Sequence, residues 1–322
     1  MQSFRTILPP MPGLPQIQPD DRLLCLGSCF AQEIGDRFST GRWSVRLNPF
    51  GTIYHPFPIA GALLRLLEGQ PFTGEDLFYH QEQWHSFAHH GQFSGSDHTE
   101  TLTVINQALA EGSTQLKKAN LLLLTLGTAN GFVNNDTGKV VANCHKLPGQ
   151  DFTKKLFSPD AIYKNLVSIL ERIIQQFPNL QVMLTVSPIR HLRDGLITNQ
   201  RSKASLLLAC AELEKNFEPI HYFPAYEILM DDLRDYRFYK NDLMHPTEMA
   251  VDYIWEYFRK SCFPEATQNY YDEVLAINQM LTHRPLHPDS SAHRDFLKQL
   301  RIRIAEMEQK YPRIDFNYNK EL

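Results

Sequence analysis

Two short stretches of this 322-residue chain hold side chains that together could perform nucleophilic catalysis. Ser28 follows the apolar run of residues 23–26 and precedes a stretch with helical spacing of apolar residues. Asp242 and His245 lie three residues apart, where a turn would let the carboxylate accept a hydrogen bond from one imidazole nitrogen. A hydroxyl activated by an imidazole that a carboxylate orients is the arrangement that proteins use for acyl transfer. These three residues are therefore our candidate catalytic group.

Each of these residues also has a simpler interpretation. A serine between a strand and a helix often only caps the helix, and a histidine before a proline often only marks a helix start. Cys29 is an alternative nucleophile that could use His145 or His245 as its base. We expect Cys29 to lie in the first helical turn and to face the core, which argues against that role.

Strands and helices that alternate along the chain must bring Ser28 and His245 together. Apolar runs predict buried strands at residues 23–26, 121–126, 182–186 and 220–223, with helical patterns between them. This alternation is typical of a parallel sheet covered by helices on both faces, an α/β fold. Polar residues after the strands should meet at the carboxyl edge of the sheet, where such folds bind ligands. They are Ser28, residues 127–130, residues 187–191, and the Asp242–His245 pair.

A histidine-rich stretch at residues 84–90 raises the alternative of a metal site. Its spacing contains no His-x-x-x-His or Cys/His pattern, and alternate residues of a strand point to opposite faces. We therefore expect no metal there. The chain also has no glycine-rich phosphate-binding motif, so we expect no nucleotide cofactor and no other cofactor.

The composition of the chain limits which partners the protein can bind and in which cellular compartment we expect it. The formal net charge is −4 and no run of lysine and arginine offsets it, so we expect a small or neutral substrate and no nucleic acid. Residues 1–20 are proline-rich without a long apolar run, so we predict an extended segment and neither a signal peptide nor a membrane anchor. Five scattered cysteines without a Cys-x-x-Cys pair favour the cytoplasm.

The last part of the chain, residues 263–322, differs in character. Two amphipathic helices are predicted at residues 265–281 and about 290–309, joined by a proline-bearing linker. The second helix has an apolar face formed by Phe296, Leu300, Ile304 and Met307. This helical hairpin either packs on its own domain or forms a dimer, so the sequence allows a monomer or a homodimer.

Residues 20–262 resemble a known family. The chain looks like a GSCFA-type member of the SGNH (GDSL-like) hydrolase superfamily, because residues 27–31 read Gly-Ser-Cys-Phe-Ala. Five further blocks strengthen the resemblance. They are residues 48–51 (Asn-Pro-Phe-Gly), 125–129 (Thr-Leu-Gly-Thr-Ala), 143–146 (Asn-Cys-His-Lys), 187–191 (Ser-Pro-Ile-Arg-His) and 242–246 (Asp-Leu-Met-His-Pro).

The resemblance implies a flavodoxin-like three-layer α/β/α domain over residues 1–262, with Ser28 as nucleophile and Asp242 and His245 as its partners. It also implies an oxyanion hole made by the Ser28 amide, the Gly51 amide and an asparagine side chain. The usual Gly-x-Asn-Asp block of the superfamily is absent, and no aspartate precedes the serine. The asparagine is therefore Asn130 or Asn143, and we favour Asn143 because of its neighbours Cys144 and His145.

The activity implied by the resemblance is ester hydrolysis through an acyl-enzyme, with an acetyl ester of a carbohydrate as the substrate suggested by analogy. Our candidates for substrate recognition are His85, His145, Arg190 and His191. Each could instead be a polar group satisfied beneath a loop. A different class of function, a glycan- or partner-binding protein with an idle site, remains open because the asparagine block is altered.

Overall fold

The computed structural model describes residues 5–316. The strands are β1 (Arg22–Gly27), β2 (Ser44–Leu47), β3 (Phe78–His80), β4 (Gln83–His85), β5 (Leu121–Leu126), β6 (Asn130–Asn134), β7 (Val140–Val141), β8 (Phe152–Leu156), β9 (Gln181–Val186) and β10 (Ile220–Phe223). The α-helices are α1 (Cys29–Thr40), α2 (Pro56–Glu68), α3 (His98–Leu116), α4 (Pro159–Gln176), α5 (Leu196–Asn216), α6 (Ala225–Glu227), α7 (Glu248–Cys262), α8 (Glu265–Thr282) and α9 (Ser291–Lys310).

A five-stranded sheet forms the centre of the molecule, and all its strands are parallel. Its order is β10-β9-β5-β1-β2. Counted along the chain, the parallel strands therefore lie in the flavodoxin-like order 2-1-3-4-5. The direction of strand order reverses between β1 and β5, and such a reversal opens a crevice at the carboxyl ends of the strands. Ser28 and Gly127 follow the two strands that flank this point.

Helices cover both faces of the sheet, as predicted for an α/β fold. Leu24 and Leu26 of β1 belong to a core cluster with residues of α2, α3, α4 and α5. Leu23 and Cys25 belong to a second cluster with residues of α1, α7, α8 and α9. Successive residues of a strand point to opposite faces, so an uninterrupted apolar run is the pattern that two covered faces require. The three-layer α/β/α prediction is confirmed.

Two small antiparallel sheets lie outside the central sheet. One pairs β3 with β4, and the other has the order β7-β6-β8. Only three residues separate the end of β5 from the start of β6. The second small sheet therefore stands beside the carboxyl edge of the central sheet and can supply one wall of a crevice there.

The two C-terminal helices pack on the same chain. Val274 and Ile277 of α8 and Leu300 and Ile304 of α9 are buried in the cluster that also contains residues of α1 and α7. Upstream of β1, the Ile17 amide donates to the carbonyl oxygen of Cys262 over 2.8 Å. Within residues 5–316, no helix combines the length and the apolar character needed to cross a membrane.

Candidate functional site

A cavity of about 380 Å³ opens at the carboxyl edge of the central sheet. Its walls come from the loop before α2, the β6 and β8 strands, the loop after β9 and the turn before α7. Four of the sequence-predicted site residues line it, namely Asn130, Arg190, His191 and His245. Its volume lies within the range of small-molecule sites in proteins.

The Asp242–His245 pair forms in the way its spacing predicts. Asp242 Oδ2 lies 2.7 Å from His245 Nδ1, and Asp242 Oδ1 accepts hydrogen bonds from the backbone amides of Met244 and His245 at 2.8 and 2.9 Å. The His245 amide, the Met244 amide and the His245 ring together lower the pKa of the Asp242 carboxyl to about 2. The ionised carboxylate therefore accepts a hydrogen bond from Nδ1–H, and this tautomer of the neutral ring leaves Nε2 unprotonated.

Backbone hydrogen bonds hold this turn in place. The Lys240 amide donates to the His245 carbonyl over 2.7 Å, and the Arg190 amide donates to the Met244 carbonyl over 3.1 Å. Leu243 adopts a φ of 57°, a left-handed conformation that a non-glycine residue rarely takes. The turn before α7 is thus joined to the loop after β9, and His245 is held beside Arg190.

Ser28 stands at the predicted strand-to-helix corner. It is the residue before α1, and its Oγ accepts a hydrogen bond from the Phe30 amide at 3.3 Å. Gly27 has a φ of 135°, and a side chain there would meet the Thr125 carbonyl oxygen at 2.1 Å, so only glycine fits. The serine itself is 0% exposed and is not one of the cavity-lining residues. In this conformation Ser28 acts as a helix cap.

The structure therefore separates the two halves of the candidate catalytic group. Across residues 5–316, no hydrogen bond joins the Ser28 hydroxyl to His245. Tyr54 connects their surroundings, because it lines the cavity and its hydroxyl lies 3.3 Å from Cys29 Sγ. The Tyr54 ring also contacts His191 edge to face, with ring centroids 5.5 Å apart. Cys29 is half-buried and packs in part against the second core cluster.

Both backbone amides expected in the oxyanion hole already have partners. The Ser28 amide donates to the Thr125 carbonyl over 3.0 Å, and the Gly51 amide donates to the Asn48 carbonyl over 2.7 Å. Gly51 has a φ of 73°, and a side chain there would lie 2.4 Å from His90 Cβ. The close approach of the His90 loop therefore explains why residue 51 is a glycine. Neither amide is directed at a ligand in this conformation.

The two candidate asparagines lie in different environments. Asn130 lines the cavity, and its side chain makes no hydrogen bond within the described part of the chain. Asn143 is not a cavity-lining residue, and its Oδ1 accepts a hydrogen bond from the His145 amide at 2.8 Å. The geometry thus favours Asn130, whereas the sequence-based choice was Asn143.

His85 and His145, which we predicted to recognise substrate, lie away from this cavity. Both are 7% exposed, and their rings contact each other with centroids 4.6 Å apart. His85 is bonded to Ser94 Oγ at 2.7 Å and to the carbonyl oxygen of His80 at 3.0 Å. His145 Nε2 is bonded to the carbonyl oxygen of Ser86 at 2.8 Å. These rings fit the alternative interpretation of polar groups satisfied beneath a loop.

His191 lines the cavity as predicted and carries an unpaired nitrogen. Burial, followed by the nearby charge of Lys203, lowers the pKa of His191 to about 4, so the ring is neutral at pH 7. Its Nε2 is buried without a hydrogen-bond partner in the structure, and its backbone amide donates to Asn199 Oδ1 over 2.9 Å. A buried polar atom of this kind usually binds water or a ligand.

Two residues near the cavity were missed by the sequence analysis. Lys203 is 1% exposed, and its Nζ donates to the carbonyl oxygens of Gly127 and Ser187, both over 2.7 Å. It thereby joins the ends of β5 and β9, and burial lowers its pKa to about 7. The sequence could have indicated that Lys203 is buried, because it lies at helical spacing from Asn199 and Leu206, which are also buried on α5.

His55 is the second missed residue. It caps α2 with Nδ1, which accepts from the Phe57 amide at 3.2 Å, and its Nε2 lies 3.3 Å from the Ala129 carbonyl. This requires the proton on Nε2. Burial lowers the pKa of His55 to about 4, so it is a neutral wall of the cavity. Within residues 5–316, no group of three or more His, Cys, Asp or Glu side chains is arranged to hold a metal ion.

Comparison with known proteins places these features in a family. The search of curated proteins found no match. The model of the GSCFA family matches residues 22–258, which span the central sheet and the Asp242–His245 turn. The model named "GSCFA domain protein, C-terminal domain" matches residues 274–322. The first match covers well over half of the chain, and we conclude that this protein belongs to the GSCFA family.

Proposed function

We propose that this protein is a serine esterase that removes a small acyl group from its substrate. The observation that carries the proposal is the 2.7 Å contact between Asp242 and His245 on the wall of a ligand-sized cavity. Membership of the GSCFA family and the resemblance to SGNH hydrolases support it. The flavodoxin-like strand order adds support, because the cavity lies at the edge where such sheets bind ligands.

In the proposed reaction, His245 Nε2 takes the proton of the Ser28 hydroxyl as Oγ attacks the ester carbonyl. Asp242 holds the ring in the required tautomer and stabilises the imidazolium that forms. The imidazolium then protonates the leaving alcohol. In the second half of the reaction, His245 Nε2 takes a proton from a water that attacks the acyl-serine, and it returns that proton to Ser28 Oγ as the carboxylic acid leaves. The Asn130 side chain, which lines the cavity, is our choice as oxyanion donor.

This mechanism requires a conformational change at Ser28. The hydroxyl must leave the Phe30 amide, and its 3.3 Å separation is at the long end of a hydrogen bond. The Tyr54 and His191 rings must also shift, since they line the cavity beside the start of α1. The Ser28 amide would need to exchange Thr125 for the oxyanion if it is to serve as a donor. We propose that substrate binding drives this opening.

The substrate that we propose is an ester with a short acyl group, such as an acetylated carbohydrate. A cavity of about 380 Å³ can hold a sugar-sized molecule but has little room for a long chain. The carbohydrate rests on the analogy with SGNH hydrolases.

The test is hydrolysis of 4-nitrophenyl acetate by the wild type and by Ser28→Ala and Cys29→Ala variants. We expect turnover that Ser28→Ala reduces by at least about 10³-fold, because the nucleophile is lost. We expect Cys29→Ala to retain turnover, and it serves as the control for changes at this corner. Loss of turnover in Cys29→Ala but not in Ser28→Ala would move the nucleophile to the cysteine.

A binding protein with an idle site is the second candidate, and the 0% exposure of Ser28 favours it. In that case the cavity would hold a glycan or another ligand without chemistry at Ser28. Wild-type protein that hydrolyses neither 4-nitrophenyl acetate nor acetylated sugars would support this candidate over the esterase.

A further inference from the structure

Two arginines of the cavity wall have no carboxylate partner among residues 5–316. Arg190 and Arg193 belong to the loop after β9, and both line the cavity together with His245. The ion pairs among residues 5–316 include neither of them. Arg193 is exposed and makes no hydrogen bond in that part of the chain. An unpaired guanidinium at a concave site is available for an anionic ligand.

The remaining charges on the wall do not cancel these two. Asp194 is the only carboxylate among the described residues that line the cavity, and it forms a salt bridge with Lys154 on β8. The cavity therefore has two positive charges in excess, while the whole chain has a formal net charge of −4. A local charge opposite in sign to that of the whole protein indicates a site that selects charged ligands.

Arg190 is also held in a fixed position. Its Nη1 donates to the Leu243 carbonyl over 3.4 Å, and its guanidinium lies 5.2 Å from the centre of the Tyr239 ring. Its backbone amide bonds to the Met244 carbonyl. These contacts place the guanidinium beside the turn that carries His245, so an anion bound there would lie close to the proposed ester carbonyl. Holding the arginine in advance reduces the entropy lost on binding.

We propose that Arg190 and Arg193 form an anion subsite that binds a carboxylate or phosphate group of the substrate. That the bound anion belongs to the substrate rests on the proposed esterase function. The subsite itself rests on the charged side chains that line the cavity. The proposed substrate is small, as the sequence analysis expects, but carries an anionic group. Lys154 lies far from Arg190 and Arg193 in the sequence, and only the folded chain brings it to the same cavity.

The kinetic test compares matched charged and neutral esters. One pair carries the charge on the acyl side, 4-nitrophenyl hemisuccinate against 4-nitrophenyl butyrate. The other carries it on the alcohol side, 3-acetoxybenzoate against its methyl ester. We expect kcat/KM to favour the charged member of at least one pair by about tenfold at low salt, the effect of one charge-assisted contact. The preference should shrink as sodium chloride rises to 0.5 M.

The variants assign this preference to the two arginines. Arg193→Gln is the main variant, because within the described part of the chain the Arg193 side chain has no partner whose loss would disturb the fold. It should bring the charged-to-neutral ratio of kcat/KM close to one. Arg190→Gln should do the same, with circular dichroism and melting temperature as checks of its fold. Arg201→Gln is the control, because Arg201 is exposed on α5 outside the cavity, and its ratio should equal that of the wild type.

A binding measurement separates failure of the subsite from failure of the esterase. Titration of the protein with succinate and with inorganic phosphate should show saturable binding that Arg193→Gln weakens by about tenfold, and the better ligand identifies the class of anion. Neutral esters turned over without any charged preference, together with no Arg193-dependent binding, would overturn the subsite and leave the esterase intact. Binding that depends on Arg193 without ester turnover would support the subsite and overturn the esterase.

Discussion

Two regions of this molecule that contain histidines differ in the partners of the rings. His245 lies in an exposed turn, with its side chain 37% exposed and a carboxylate on Nδ1. His89 and His145 lie beneath the β3–β4 region, bonded to Ser86 through its hydroxyl and carbonyl oxygens. The His89 ring also stacks on Phe50, with centroids 4.9 Å apart.

This difference indicates which histidines can take part in proton transfer. Burial lowers the pKa of His89 to about 3 and that of His145 to about 4, so these rings stay neutral and structural at pH 7. His245 is paired with an ionised carboxylate on a cavity wall, which suits a general base. Residue type and sequence spacing alone do not separate these roles. The partner and the exposure of each ring do.

The largest effect should come from the carboxylate of the exposed region. Asp242→Asn should lower kcat for ester hydrolysis by about 10⁴-fold, because the amide no longer selects the tautomer with Nε2 free. Asp235→Asn is the control, since Asp235 is an exposed carboxylate of the same loop paired with Arg237. Steady-state kinetics on 4-nitrophenyl acetate provide the measurement. A decrease in kcat of less than tenfold in Asp242→Asn would contradict the role of the Asp242–His245 pair as the general base.

The two asparagines extend the comparison to the oxyanion donor. Asn130→Ala should lower kcat by about 10²-fold, the effect of losing one donor, with little change in melting temperature. Asn143→Ala should instead lower the melting temperature, because Asn143 supports the amide of His145 in the buried region. Calorimetry and kinetics on both variants test this. The reverse pattern would restore Asn143 as the donor.

Lys203 joins the ends of β5 and β9, and its loss should destabilise the protein. Lys203→Met leaves the Gly127 and Ser187 carbonyls without their donor, at a cost of about 3 kcal/mol in the free energy of unfolding. Lys215→Met, at an exposed lysine of the same helix, should change that free energy by less than about 0.5 kcal/mol. Urea denaturation measures both.

The difference in the free energy of unfolding between the wild type and Lys203→Met should depend on pH. The pKa of Lys203 falls to about 7 in the folded protein, so between pH 7 and 10 the unfolded chain binds a proton that the folded chain does not. The wild type should therefore gain stability relative to Lys203→Met as the pH rises from 7 to 9. A difference that shrinks over this range would contradict a buried, neutralised lysine.

The smallest effect concerns the buried histidines at acid pH. His145 has a folded pKa of about 4, so from pH 6.5 down to 4 only the unfolded chain gains its proton, and stability falls. The slope contributed by one such ring is at most about 1.4 kcal/mol per pH unit. His145→Gln can keep a donor to the Ser86 carbonyl, and its stability should fall less steeply in this window. Chemical denaturation at pH 4.5, 5.5 and 6.5 measures the slopes.

Local patterns predicted the elements that hold the site. The uncharged apolar runs predicted the buried strands, because a strand covered on both faces must be apolar throughout. The Asp-x-x-His spacing predicted the 2.7 Å contact, since it is made within one turn. The corner at Ser28 was predicted for the same reason.

Contacts between distant segments were not predictable from these patterns. Tyr54 links the start of α1 to the loop after β9 through its contacts with Cys29 and His191, which lie far apart in the sequence. The separation of His85 and His145 from the cavity depends on loops that close on one another. Helical spacing alone could have identified Lys203, but its partners come from the ends of two other strands.

Covalent labelling tests whether Ser28 and His245 act together as nucleophile and base. A fluorophosphonate probe reacts with an activated serine and leaves a stable adduct that peptide mass spectrometry can locate. We predict an adduct on Ser28 in the wild type and in Cys29→Ala, and a strongly slowed reaction in a folded His245→Ala variant. An adduct on another residue would contradict Ser28 as the nucleophile. Labelling of Ser28 at the same rate in His245→Ala would contradict His245 as its base.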